Sequence, residues 1–264
     1  MRLPVKRQNN VFNKVRKIRG EINLSQNKLC VPASSQTLLQ LNLRGVNQLF
    51  PGFAEDDFAL INGSSSVLSL TSLLCVRAQL ANQLGGLNSK VIFIDGGNTF
   101  RLYQIARLAQ IHQLNPKQVL DNIYVSRAFT AYQLTALIMQ KLKTAIKKYE
   151  AKLAIISDIS EFFLDKDLSD TEAQRVFSQI AAYLSNFARE NHVILIATYL
   201  PHQEAKRNGY LQTLASAKAS VVLSLKQTEY ARVISLEKHP RLNLGSVELP
   251  SANITLTDFM EDSA

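Results

Sequence analysis

The sequence predicts a doubly wound α/β domain with a mostly parallel sheet flanked by helices, and three observations carry that expectation. Continuous apolar runs recur as strands buried on both faces read: Phe58-Ala-Leu-Ile-Asn62, Val91-Ile-Phe-Ile-Asp95, Lys152-Leu-Ala-Ile-Ile-Ser-Asp158 and Val193-Ile-Leu-Ile-Ala-Thr198. Stretches of helical periodicity alternate with them, as a parallel sheet with crossover helices requires. The run at 91–95 ends in a carboxylate followed by Gly96-Gly97, the way a buried strand reaches the sheet edge where open α/β folds hold ligands.

Residues 1–28 carry 8 basic groups against Glu21, a net charge of 8 − 1 = +7; the remaining residues hold 22 basic and 20 acidic groups, or +2. They are read as a basic, flexible arm ahead of a core domain at 29–264. Val11, Val15, Ile18 and Ile22 fall at helical spacing with Lys14, Arg16, Lys17 and Arg19 between them, a pattern too short to be a stable helix alone. Three readings stand for it: a phosphate-binding arm, a solubilising tail, or an organelle-targeting segment.

Within the core, Pro51-Gly52 is a turn, the strand at 58–62 leads into Gly63-Ser-Ser-Ser66, and Leu68, Leu70, Leu73, Leu74, Val76 and Leu80 give the next helix a broad apolar face. After the strand at 91–95, Leu102, Ile105, Ala106, Leu108 and Ala109 recur at helical spacing, and Asn115-Pro116 supplies an N-cap with Pro at the first helical position. Asn122-Ile-Tyr-Val-Ser126 completes a βαβ unit. Asp170 or Thr171 is the expected cap of a long helix with Val176, Phe177, Ile180, Leu184 and Phe187 on one stripe. Residues 219–226 and 232–237 read as antiparallel edge strands, and Lys238, His239 and Arg241 as a charged sheet edge. No run has the 18 or more apolar residues of a membrane span, so an intracellular, cytoplasmic or nucleoid/nuclear protein is expected. Cys30 and Cys75 make no disulfide framework, and the histidines at 112, 192, 202 and 239 share no metal spacing, so no metal site is expected.

The segments Ile94-Asp95-Gly-Gly-Asn-Thr99-Phe100-Arg101 and Asn115-Pro116-Lys-Gln-Val-Leu-Asp121-Asn122-Ile123-Tyr124-Val125-Ser-Arg127-Ala128-Phe129 resemble the ATPase core of the RecA/RadA strand-exchange recombinases over about residues 45 to 240. The resemblance implies a RecA-like fold and a nucleotide site, yet the sequence departs from the family at four places on that one function. A phosphate loop needs G-x-x-x-x-G-K-[ST]. Counted from Gly63, its second Gly, Lys and hydroxyl positions are Leu68, Ser69 and Leu70, and residues 63–89 contain no Lys. The family's water-activating glutamate position is Gly97. The Mg²⁺-supporting Asp of the Walker B strand becomes Ser157, with Asp158 one place late and turned by strand alternation to the opposite face. The γ-phosphate-sensing Gln becomes Leu200. Gly63, Ser64, Ser69, Asp95 and Asp158 are thus read as a vestigial nucleotide site, with no cofactor and no catalytic residue expected. A minority reading lets Arg77 supply the missing cation.

The resemblance also places DNA-binding loops. The segment from Pro201 offers Lys206 and Arg207 to phosphates and Tyr210 for stacking on a base; the loop bearing Asp165, Asp167 and Asp170 would repel a DNA backbone. No Phe has Ala at the third following position, so the family's Phe-x-x-Ala self-polymerisation is not expected. The expectation is a non-catalytic paralogue: a DNA-binding accessory factor in homologous recombination and DNA repair, binding single- or double-stranded DNA and a RecA/RadA-family partner in a homo- or heterodimer. The alternative is a protein-interaction scaffold that pairs with an active recombinase and binds no DNA.

Overall fold

The computed structural model describes residues 37–250, apart from 204 and 228–230. They belong to the second of two compact units of the chain, Gln36–Ala264. Lys14, Arg16, Lys17 and Arg19 lie outside the described residues.

A two-stranded antiparallel pair, β1 (Leu38–Leu39) with β2 (Phe53–Ala54), brackets the short helix α1 (Val46–Leu49). Then follow β3 (Phe58–Gly63), α2 (Ser66–Arg77), β4 (Val91–Asp95), α3 (Leu102–Ile111), α4 (Pro116–Asp121) and β5 (Ile123–Arg127). Helix α5 (Ala131–Ala136) continues through a π-helical turn into α6 (Leu142–Tyr149). The chain proceeds through β6 (Leu153–Ser157), α7 (Asp170–Asn191), β7 (Ile194–Tyr199), α8 (Lys206–Lys218), β8 (Val221–Gln227), β9 (Ala231–Lys238) and β10 (Gly245–Pro250). Strands β3 to β10 form one sheet in the order β10-β9-β8-β3-β7-β6-β4-β5. From β8 to β5 the neighbours are parallel, and β9 and β10 add the antiparallel edge.

Strand side chains alternate between faces, so each apolar run serves two cores. Ala59, Ile61, Val91, Phe93, Leu153, Ile155, Ile194 and Ile196 pack on the α2–α3 side. Phe58, Leu60, Ile92, Ile94, Ala154, Ile156, Leu195 and Ala197 pack under α5 to α8. This is why the runs are continuously apolar rather than alternating. Every residue of α2 except Ser69 is buried, and α2 accordingly has no polar face.

The predicted cap at Asn115 is present: its side chain accepts from the N–H groups of Lys117 and Gln118, with Pro116 at N1. Helix α7 is capped by Ser169, whose Oγ accepts from Glu172 N at 3.3 Å, one residue before the first expected capping position. Lys238, expected on a charged edge, instead donates from Nζ to the carbonyls of Ser216 and Ala217 at the end of α8, where a cation suits the helix C-terminus. Among the described residues no helix is long and apolar enough to cross a membrane.

Candidate functional site

Parallel register brings the strand ends to one edge of the sheet. Asp95 stands opposite Arg127 on β5 and Ser157 on β6, and Asn62 opposite Tyr199 on β7. The candidate site lies along this edge.

At its β3 end, the turn after Gly63 is short. Gly63 has φ +121, and a Cβ there would fall 2.0 Å from the carbonyl oxygen of Leu225, so only glycine fits. Ser64 N–H donates to that same oxygen at 2.8 Å. Helix α2 begins at Ser66, so Leu68, Ser69 and Leu70 are already helical. Arg77 does not reach this turn. It is 1% exposed, donating from Nε to Gln40 O at 2.6 Å and from Nη2 to Leu84 O at 2.8 Å. Burial lowers its pKa to about 10. The reading of Arg77 as a substitute phosphate cation is therefore corrected: its guanidinium holds together the loops before and after α2.

Next along the edge, Asp95 is fully buried and accepts from Thr99 N at 2.8 Å and Thr99 Oγ1 at 3.1 Å. Arg127 pairs with it at 3.0 Å. Thr99 Oγ1 also bonds Ser157 Oγ, which in turn lies 3.5 Å from Thr198 Oγ1. At the Walker B position there is thus a hydroxyl in a buried hydroxyl network, where a carboxylate was to be expected of the resembled family.

Asp158 corrects the alternation argument. Strand geometry ends at Ser157, and Asp158 takes a left-handed backbone with φ +50. Its N–H donates to Thr198 Oγ1 at 2.8 Å, and its side chain fills the space a side chain on Gly97 would need. It therefore stays at the site's rim. Its Oδ1 lies 3.1 Å from His202 Nε2, while His202 Nδ1 lies 3.4 Å from Glu161 Oε2. The hydrogen bond to Asp158 is the main cause that raises the pKa of His202 above its ordinary value. Sequence spacing does not reveal this trio, because His202 arrives from the loop after β7, 44 residues beyond Asp158.

The segment predicted as a DNA loop is mostly helix. Lys206, Arg207 and Tyr210 lie in the first turn and a half of α8. Lys206 and Tyr210, four apart, share one exposed helix face. Arg207 faces inward. It pairs with Asp170 and donates to the carbonyls of Asp165 at 2.6 Å, Leu168 at 2.7 Å and Phe163 at 3.3 Å. The expected phosphate contact is corrected: Arg207 organises the acidic loop. A cavity of about 670 Å³ opens between that loop and α8, lined among others by Phe129, Glu161, Lys166, His202 and Lys206.

Residues 63–219 match the model of the Rad51 family. Over 90 residues the chain is 34% identical to the DNA repair and recombination protein RadA of Aeropyrum pernix; the match takes in 34% of this chain and 28% of that protein's length.

Proposed function

This chain belongs to the Rad51 family, whose model matches more than half of it, and from that premise we propose that it is a non-catalytic member acting as a DNA-binding accessory factor in recombination and repair. The turn at Gly63 carries the reading. A nucleoside triphosphate with Mg²⁺ needs free backbone N–H groups, a Lys and a hydroxyl on the metal. Here Ser64 N–H is bonded to Leu225 O, the helix has already begun at Ser66, and Arg77 is engaged elsewhere. These residues do not fit the nucleotide. At the positions of the general base and the metal carboxylate stand Gly97 and the bonded hydroxyl of Ser157, so neither proton abstraction nor metal support is provided.

The basic segment 1–28 is the proposed DNA grip, with the exposed pair Lys206 and Tyr210 as a second contact. Titration of a fluorescent ATP analogue with Mg²⁺ should stay flat to about millimolar concentration, the range of the weakest specific binding. Saturable binding or turnover would overturn the reading. DNA should bind at about 50 mM salt and weaken steeply by about 200 mM, with most of the slope lost on deleting residues 1–28.

A second reading is a scaffold that pairs with an active recombinase without touching DNA. It is favoured by the mouth of the site, where Arg207 is internally paired and Glu161, Asp165 and Asp170 line the cavity. Absence of DNA binding at low salt would select it.

A further inference from the structure

Asp158, Glu161 and His202 each offer a donor atom, and these three atoms lie within 4.8 Å of one another. Asp158 is 3% exposed. Its Oδ1 accepts from Ser160 Oγ at 3.3 Å and faces His202 Nε2 at 3.1 Å. Its Oδ2 receives no hydrogen bond among the described residues, so that oxygen is left available to a ligand. Ligand atoms held about 2.1 Å from one ion stand roughly 3.0–3.5 Å apart, and the pair His202 Nε2 and Asp158 Oδ1 already has that separation. Glu161 is about half exposed, with its side chain at 49%, and its ligand atom already lies within 4.8 Å of those of Asp158 and His202. Glu161 and His202 line the 670 Å³ cavity, which leaves room for water on the ion's open side. The nearby guanidinium of Arg207 is committed to Asp170 and three carbonyls.

We propose that Asp158, Glu161 and His202 form a binding site for a divalent transition-metal cation, one nitrogen and two carboxylate ligands suiting Zn²⁺ or Mn²⁺ rather than Mg²⁺. The ion ties the end of β6 to the loop after β7 and so fixes the approach to α8, where Lys206 and Tyr210 are displayed. No residue of the turn at Gly63 takes part, so the proposal is independent of whether the chain binds nucleotide.

The test uses the full chain, stripped with EDTA, dialysed, and titrated calorimetrically with ZnCl₂ and, separately, MgCl₂. One Zn²⁺ per chain is expected, with little heat from Mg²⁺. His202→Ala and Glu161→Gln should each weaken Zn²⁺ binding at least tenfold. Glu161→Gln alters a half-exposed group, so the test does not depend on a variant in the buried core. No Zn²⁺ binding by the unmodified chain, or unchanged binding in either variant, overturns the proposal.

Discussion

A Cβ on Gly97 would stand 2.9 Å from the Cβ of Asp158 and 3.0 Å from its Oδ2. The two positions exclude each other: as long as Asp158 is turned inward by its left-handed backbone, residue 97 has no room for a side chain. The glycine at 97 and the inward carboxylate at 158 are therefore sterically coupled.

Gly97→Ala should destabilise the protein by about 1–2 kcal/mol through overpacking. The loss should largely vanish in an Asp158→Gly background, since glycine accepts the left-handed φ without a Cβ. Urea unfolding of the four proteins in this cycle measures the coupling. Equal losses in both backgrounds would show that the two positions are sterically independent.

Arg77 is the clearest case of a buried cation serving architecture. Arg77→Ala should cost about 3 kcal/mol or more, because it opens a cavity and strands the carbonyls of Gln40 and Leu84. Arg77→Lys should recover only part, since an ammonium lacks the fork that reaches both oxygens. Equilibrium denaturation decides this; a wild-type midpoint for Arg77→Ala contradicts the assignment.

Arg207→Ala should lower stability by about 2 kcal/mol, most of it from the carbonyl bonds of the acidic loop. Its partner Asp170 has a side chain 70% exposed, so the ion pair itself adds little. The melting temperature should fall by about 4–8 °C for a domain of this size. The salt dependence of DNA binding should not change, whereas Lys206→Ala should reduce the slope by about one unit.

His112 provides an acid-sensitive element. Its Nε2 is buried without a hydrogen-bond partner, and burial, aided by Arg77, lowers its pKa to about 4. Above the unfolded value near 6.5 the ring is neutral in both states and its contribution is complete. As pH falls from 6.5 toward 4, the unfolded chain takes up a proton that the folded chain refuses, so stability is lost across that window. With allowance for its partial exposure, the loss is about 1–2 kcal/mol. Unfolding free energies of the wild type and His112→Gln should diverge by that amount between pH 7 and pH 4; parallel pH profiles would exclude it.

The strands of the parallel sheet were legible because burial on both faces writes itself as an unbroken apolar run, and the Asn115-Pro116 cap because its hydrogen bonds are local. The two-residue strands at Leu38–Leu39 and Phe53–Ala54 and the edge strand Gly245–Pro250 were not; too short or too exposed, they leave no periodic signature. The contacts of the candidate site were not legible. Nothing in the spacing of Arg77, Arg207 or His202 announces Gln40, Asp170 or Asp158 as partners, since those pairings arise only when distant strand ends meet. Strand alternation did not fix the side of Asp158 for a related reason: alternation holds within a strand, and its backbone had already left one.

Because α2 starts three residues after Gly63, a lysine introduced at position 69 would project sideways from a completed helical turn instead of crowning the loop. Building an anion cradle here would take reshaping of main chain as well as exchange of side chains. The tight turn thus makes the main chain, and not only the side chains, the barrier that any phosphate-binding redesign of this edge has to cross.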